Sequence, residues 1–268
     1  MREYSESIPK PMINIGSRPI LWHVMKYYAH YGHKDFILCL GHRSDFIKNY
    51  FLNYNECLSN DFVLSQGGKS LQLASTDIND WKITFADTGL ASNIGQRLLA
   101  VKKYLEEDEV FLANYSDGLT DLPLNEQIDQ FKREGKVASF LCVKPNSSFH
   151  FIRLGTNGIV EAIQDVNKSG IRINGGYFVL HRDIFDYMKE GEELVNEPFQ
   201  RLLEQRELLA YKYDGFWAPM DTFKDRQCLE DTLACGHGPW EVWKSRVQTP
   251  SKVGKRDVAP TLCDSNRP

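Results

Sequence analysis

Short apolar runs that alternate with segments of helical period constrain this chain more than any other feature. Residues 36–40 (FILCL), 82–86 (KITFA), 110–113 (VFLA) and 137–143 (VASFLCV) have the length and character of strands. Between and before them lie 19–31, 44–51, 94–105 and 124–133, where apolar residues recur every three to four positions. In the first of these, Ile20, Leu21, Val24, Met25 and Tyr28 share one face, with Ser17 and Pro19 as start signals and Gly32 as a stop. The alternation predicts βαβ units and a doubly wound, mostly parallel α/β sheet. A chain of 268 residues with 42% hydrophobic content can bury one such core with a smaller subdomain attached.

The remaining segments depart from this rhythm. Residues 54–80 are poorly periodic around Gly67-Gly68 and read as an insertion or hairpin. Residues 149–154 and 158–164 read as paired strands about an Asn157-Gly158 turn. A strand is predicted over 173–180, helical segments over 182–188 and 197–205, a strand over 208–213, a helix from Phe223 to 233 and a packed piece over 239–243. Residues 245–268 carry few large apolar groups and are expected to form a disordered tail beyond a 1–244 domain. Residues 1–11 contain Pro9 and Pro11 and no apolar run, so the hydrophobic strand that usually opens a doubly wound domain is missing.

The net charge of −4 gives no global attraction to nucleic acid or anionic membrane. No apolar stretch approaches the ~20 residues of a membrane helix, and the first ten residues lack the apolar region of a signal peptide. The six cysteines show no C-x-x-C spacing and read as reduced thiols. The cytoplasm is the expected location.

Candidate site residues cluster where apolar runs end. Asp117, in Asn114-Tyr115-Ser116-Asp117-Gly118, follows the 110–113 strand, and Asp221 follows 208–213 and the segment Gly215-Phe216-Trp217-Ala218-Pro219. A carboxylate at a strand's carboxyl end can hold a hard cation such as Mg2+, with Gly118 letting the backbone turn away; an ordinary Asp-Gly turn is the alternative. The turn Ser92-Asn93-Ile94-Gly95, before Arg97, can present free amides to a phosphate, or can simply cap the helix. Asn174 can bridge sugar hydroxyls while Gly175 and Gly176 allow close approach of a ligand, or the two glycines can form a bulge at a strand entry.

Taken together, KPMINIGSRPILWHVMKYY, DTG followed by GQRL, FLANYSDG, INGGYFVL, GFWAPMDT and PWEVW resemble the sugar-phosphate nucleotidylyltransferases, in register from about Pro9 to Trp243. The resemblance implies a Rossmann-like fold with a β-rich sugar-binding subdomain. It also implies attack of a sugar 1-phosphate oxygen on the α-phosphorus of a nucleoside triphosphate, giving a nucleotide-sugar and pyrophosphate, with CTP and glucose 1-phosphate as the expected pair. By position it implies Lys10 and Asp117 as catalytic residues, Asp117 and Asp221 as Mg2+ ligands, Lys10, Ser92, Arg97 and Ser116 at the nucleotide, and Asn174 and Gly175 at the sugar. Ser116 stands where the family commonly has glycine. Gln164-Asp165-Val166-Asn167-Lys168 and Ser148-Phe149-His150 depart from the family pattern, and the first strand with its glycine-rich G-x-G-T-R loop is absent. The chain is therefore expected to be N-terminally truncated and weakly active, and a non-catalytic homologue is the alternative reading. Homo-oligomerisation is left open, and neither nucleic acid nor membrane is expected as a partner.

Overall fold

The structure is a computed structural model that describes residues 8–146, 149–236 and 238–244. The expected tail, 245–268, and Ser148 of the departing turn lie outside these residues. A 3-10 turn, Lys10–Met12, leads into the short strands β1 (Asn14–Ile15) and β2 (Arg18–Pro19). Then follow α1 (Ile20–His30), β3 (Asp35–Leu40), α2 (Ser44–Leu52), a hairpin of β4 (Phe62–Ser65) and β5 (Ser70–Leu73), β6 (Lys82–Asp87), α3 (Ile94–Val101), β7 (Val110–Asn114) and β8 (Gly118–Thr120). The second half contains α4 (Leu124–Glu134), β9 (Ala138–Val143), a hairpin of β10 (His150–Leu154) and β11 (Val160–Asp165), β12 (Ile173–His181), α5 (Glu197–Gln205), β13 (Leu208–Lys212), β14 (Trp217–Pro219) and α6 (Phe223–Ala234). The helix expected over 94–105 ends at Val101 and continues as a 3-10 turn, Lys102–Tyr104, and 182–188 forms 3-10 turns at Arg182–Tyr187.

The central sheet has the order β13-β9-β12-β7, with β9 and β13 parallel and β12 antiparallel to both its neighbours. A separate parallel pair, β3 and β6, carries the first βαβ unit. Among the described residues no ladder joins that pair to the central sheet; β7 is laddered on its β12 side alone and β3 on its β6 side alone. Among the described residues four antiparallel ribbons, β1-β2, β4-β5, β10-β11 and β14-β8, supply the extra β structure.

Strand β12 shows why the sheet reads as continuous apolar runs. Every residue from 175 to 180 is buried, because both faces are covered. Tyr177 points into a cluster with Ile20 and Val24 of α1, Leu124 of α4 and Leu229 of α6. Its neighbour Phe178 points the other way, to Leu98 of α3 and Phe199 and Leu202 of α5, as the two-residue period of a strand requires. Helix α1 is buried almost all round, from Ile20 to Ala29, so its polar groups need internal partners. The Tyr27 hydroxyl donates to the carbonyl of Leu122 at 2.7 Å and Tyr31 to the same oxygen at 3.1 Å.

His23 and Arg18 show two further solutions. Arg18, 1% exposed, donates to the Asn55 carbonyl at 2.8 Å, the Tyr50 hydroxyl at 3.2 Å and Ser59 Oγ, and lies 4.2 Å from the Tyr54 ring centroid. This polar anchor holds the start of the 54–80 insertion, whose hairpin leaves Phe62, Val63, Leu64 and Leu71 exposed. His23, also buried, uses both ring nitrogens: Nε2 faces the Ile15 carbonyl at 3.0 Å, and Nδ1 accepts from Trp240 Nε1 at 3.2 Å. The imidazole is therefore neutral with its proton on Nε2, since a proton on Nδ1 would face the indole N–H. Burial pushes its pKa down from the usual 6.5 to about 4. Between those pH values the unfolded chain binds the extra proton and the folded chain does not, so stability falls as pH drops from 6.5 toward 4. The expected loss from this group is roughly 3 kcal/mol. Chemical unfolding at pH 7 and pH 4.5 measures it, and a His23→Gln variant with the same pH slope as the parent would contradict the assignment.

Candidate active site

The site is made by strand register. In the β8-β14 ribbon Gly118 faces Pro219 and Leu119 faces Ala218, so the residues just before β8 lie beside those just after β14. The Met220 N–H donates to the Asp117 carbonyl at 2.8 Å, which continues the pairing to the site itself. Asp117 and Asp221 are thereby placed on two backbones tied together. On the far side of Asp221, the Asp225 carboxylate accepts from the Asp221 N–H at 3.0 Å and the Thr222 N–H at 2.7 Å, within the capping box that opens α6.

Lys10 completes the cluster. Pro9 and Pro11 restrict its backbone, the 3-10 turn is closed by Met12 N–H to Pro9 O at 2.8 Å, and the chain beyond is anchored by buried Ile13 and Ile15. From this turn the ammonium reaches Asp117 Oδ2 at 2.7 Å and Asp221 Oδ1 at 2.5 Å. Burial alone would lower the Lys10 pKa, but the hydrogen bonds and charges of the two aspartates more than offset it, and the amine is held protonated. The Asp117 carboxyl is raised above its usual range by burial, with the Asp221 charge adding and Lys10 opposing. A half-buried carboxylate whose pKa is raised by burial beside a second carboxylate is a common mark of a functional site.

The turn before Asp117 differs from expectation in one respect. Gly118 does not make the turn: it lies in β8, where a Cβ would meet nothing closer than Trp217 Nε1 at 3.4 Å. The left-handed residue is Ser116, at φ 66°, whose N–H donates to Asn114 Oδ1 at 2.6 Å. A non-glycine residue there costs about 1 kcal/mol or more, which accounts physically for glycine in the resembling sequences. The Tyr177 hydroxyl donates to the Gly118 carbonyl at 2.7 Å and fixes the other end of the turn.

A cavity of about 250 Å3 opens between this cluster and the start of β12, lined among others by Tyr115, Asp117, Asn174, Gly175, Trp217 and Asp221. The glycine pair marks an irregular strand entry, as its bulge reading expects. The β12–β9 register shifts between Asn174 and Phe178, and a Cβ on Gly176, at φ 75°, would lie 2.8 Å from the Tyr115 ring, so packing demands the glycine. Asn174 also lines the cavity while its Oδ1 accepts from Gly176 N–H at 2.9 Å. Tyr115 and Trp217, whose Nε1 donates to the Gly175 carbonyl at 2.9 Å, were not singled out by the sequence reading; their adjacency to the two aspartates was the available signal.

Ser92 and Arg97 form a second group at the carboxyl ends of β3 and β6. Ser92 Oγ donates to the Thr88 carbonyl at 2.5 Å and Arg97 to Thr88 Oγ1 at 2.8 Å. Arg97 lies over Gly41, where a Cβ would come within 2.5 Å of the guanidinium. The amides expected to be free at the start of α3 are largely taken: Asn93 and Gln96 form a capping box, and Glu193 Oε2 accepts from Ile94 N–H at 3.3 Å. The capping alternative is correct because Asn93 and Gln96 satisfy each other's backbone N–H groups, and the 191–194 segment adds contacts at the same helix end. A larger groove of about 1250 Å3 lies between α1 and the 54–80 insertion, lined by Arg18, Lys26 and Asp77 but by none of the aspartate–lysine cluster. Its Lys26 and Asp77 pair with each other at 2.9 Å.

Known proteins share this architecture. A UDP-glucose pyrophosphorylase complexed with UDP-glucose superposes with a TM-score of 0.62 at 13% identity, covering 87% of this chain and 92% of its own. HddC from Yersinia pseudotuberculosis, complexed with GMP-PN, gives 0.60 at 18% identity, covering 84% and 90%. No family model matches the chain. In sequence it is 38% identical over 238 residues to the glucose-1-phosphate cytidylyltransferase of Salmonella typhimurium, covering 88% of this chain and 92% of the relative. It is 36% identical over 245 residues to a probable glucose-1-phosphate cytidylyltransferase of Bacillus subtilis, covering 91% and 95%. The fold is that of a sugar-1-phosphate nucleotidylyltransferase, an enzyme class. Within that class the chain belongs to the glucose-1-phosphate cytidylyltransferase family. The comparisons favour the catalytic reading over a non-catalytic homologue. Among the described residues no helix is long and apolar enough to cross a membrane.

Proposed function

We propose that this enzyme transfers the cytidylyl group of CTP to glucose 1-phosphate, releasing pyrophosphate. The observation that carries the choice of substrates is the 38% identity, across 88% of the chain, to an enzyme of that name. A phosphate oxygen of glucose 1-phosphate attacks the α-phosphorus of CTP, the bond from that phosphorus to the bridging oxygen breaks, and the electron pair leaves with pyrophosphate. Such a displacement asks the protein for alignment and charge neutralisation rather than covalent chemistry.

Lys10 is assigned the neutralising role at the phosphates, supported by its protonated state and its fixed turn. The Asp117 and Asp221 oxygens suit a hard divalent cation: they converge on one positive charge in the structure. Mg2+ is the proposed ion, and when bound it would neutralise phosphate charge. Among the described residues no third acidic or histidine side chain joins them, which leaves coordination positions for phosphate oxygens and water. Asn174 and Gly175 are assigned to the sugar, and Ser92, Arg97 and Ser116 to the nucleotide.

The test is pyrophosphate release from each of CTP, UTP, GTP, ATP and dTTP with glucose 1-phosphate, followed by CTP with mannose and galactose 1-phosphates. CTP with glucose 1-phosphate is expected to exceed every other pairing by at least tenfold in kcat/KM. A preference for another nucleotide would keep the class and overturn the substrate assignment.

A further inference from the structure

Lys10 holds a position that its assigned role at the phosphates does not explain. Its ammonium sits between the two carboxylates proposed to bind the metal, within hydrogen-bond distance of both. We propose that Lys10 serves as counter-cation to Asp117 and Asp221 whenever no nucleotide is bound, opposing free divalent ions, and leaves them when the metal enters together with the nucleoside triphosphate. This inference rests on the metal role given to Asp117 and Asp221.

Three observations carry it. The first is geometric: Asp117 Oδ2 and Asp221 Oδ1 both point at the same nitrogen, so a dication between them would face the ammonium at close range and be repelled. The second is the donor count. Two carboxylates, with no third acidic or histidine ligand among the described residues, are a poor site for a free hard cation, which favours more oxygen ligands. The third is the fit of a triphosphate to both deficits. Its oxygens supply the missing ligands, and its negative charge offers the ammonium a new partner, so the lysine can leave the carboxylates without losing a counter-charge. Lys10 has the means to move: its stem is flexible, and its side chain is 29% exposed rather than sealed in the core. Metal and nucleotide binding are then positively coupled through one side chain, and by linkage each raises the affinity for the other.

The probe is Mn2+, read by the loss of its free-ion electron paramagnetic resonance signal, with and without a CTP analogue carrying a methylene bridge between the α- and β-phosphorus. Without nucleotide, the parent is expected to bind Mn2+ at least tenfold more weakly than Lys10→Met, and Lys10→Gln is expected to match Lys10→Met. With the analogue, the parent's affinity is expected to rise by a larger factor than that of either variant. Adding Asp117→Asn to Lys10→Met is expected to abolish the gain, which locates the ion. Thermal unfolding of each variant establishes that it is folded before titration, and the two Lys10 substitutions guard against failure of either one. Equal Mn2+ affinity of the parent and both variants in the absence of nucleotide would overturn the counter-cation role while leaving the metal site standing. No loss of free Mn2+ signal with any of the proteins beyond that of a protein-free control with the same analogue, whose triphosphate itself chelates the ion, would overturn the metal site and this inference together.

Discussion

Replacing Asp117 or Asp221 with alanine is expected to lower turnover of CTP and glucose 1-phosphate by about a hundredfold or more, since loss of a charge-stabilising ligand commonly costs several kcal/mol of barrier. Neither change should unfold the protein. The Asp117 side chain accepts from Lys10, and its backbone is held independently by Met220. Asp221 is more exposed, its side chain at 62%, and its backbone is fixed by Asp225. Each single variant leaves Lys10 one carboxylate partner, so the ammonium is not stranded. The measurement is pyrophosphate release at saturating Mg2+ and both substrates, with a thermal melt of each variant. Near-normal turnover in either variant would remove that residue from the site.

The second large effect is expected at Lys10. Lys10→Ala should reduce turnover by about 10²–10³-fold, the range seen when one preorganised group facing developing charge is removed. Lys10→Arg should not restore it. The ammonium reaches two carboxylates on different segments at 2.7 and 2.5 Å, a task for a compact point charge, whereas the planar guanidinium fork matches one carboxylate face to face. Single-turnover rates with nucleotide saturating separate this from a defect in binding. An unchanged rate in Lys10→Ala would make Lys10 a loop residue whose bonds to the aspartates are incidental.

Both predictions depend on groups brought together from the beginning, middle and later part of the chain, and that bears on what could be read in the sequence. Helix α1 was legible because Ile20, Leu21, Val24 and Met25 repeat at the helical period. Strand β12 was legible because a run buried on both faces is continuously apolar. In the 54–80 insertion the hairpin about Gly67-Gly68 was legible, but its docking was not, since the Arg18 guanidinium holds Asn55 and Tyr54 and polar anchoring leaves no periodic trace. The free amides read into Ser92-Asn93-Ile94-Gly95 failed for a related reason. The groups that take them are Asn93 and Gln96, within reach of local reasoning, and Glu193, which arrives from another part of the chain.

By itself the sequence determined most of the elements and the polar side chains that stand where apolar runs end. An apolar run that breaks into Asn-Tyr-Ser-Asp-Gly places a carboxylate at a strand's end, and Pro-Lys-Pro stiffens the backbone around a lysine; both follow from local sterics and hydrophobic period. Tertiary structure alone decided that Asp117 meets Asp221, because the β8-β14 register sets which residues face each other across a ladder, and no local pattern encodes a partner strand. It decided too that Ser116 rather than Gly118 takes the left-handed conformation. The bond from Tyr177 to the Gly118 carbonyl and the pairing of Met220 with Asp117 fix the backbone beyond Ser116 in extended form, so the reversal falls one step earlier, beside Asn114.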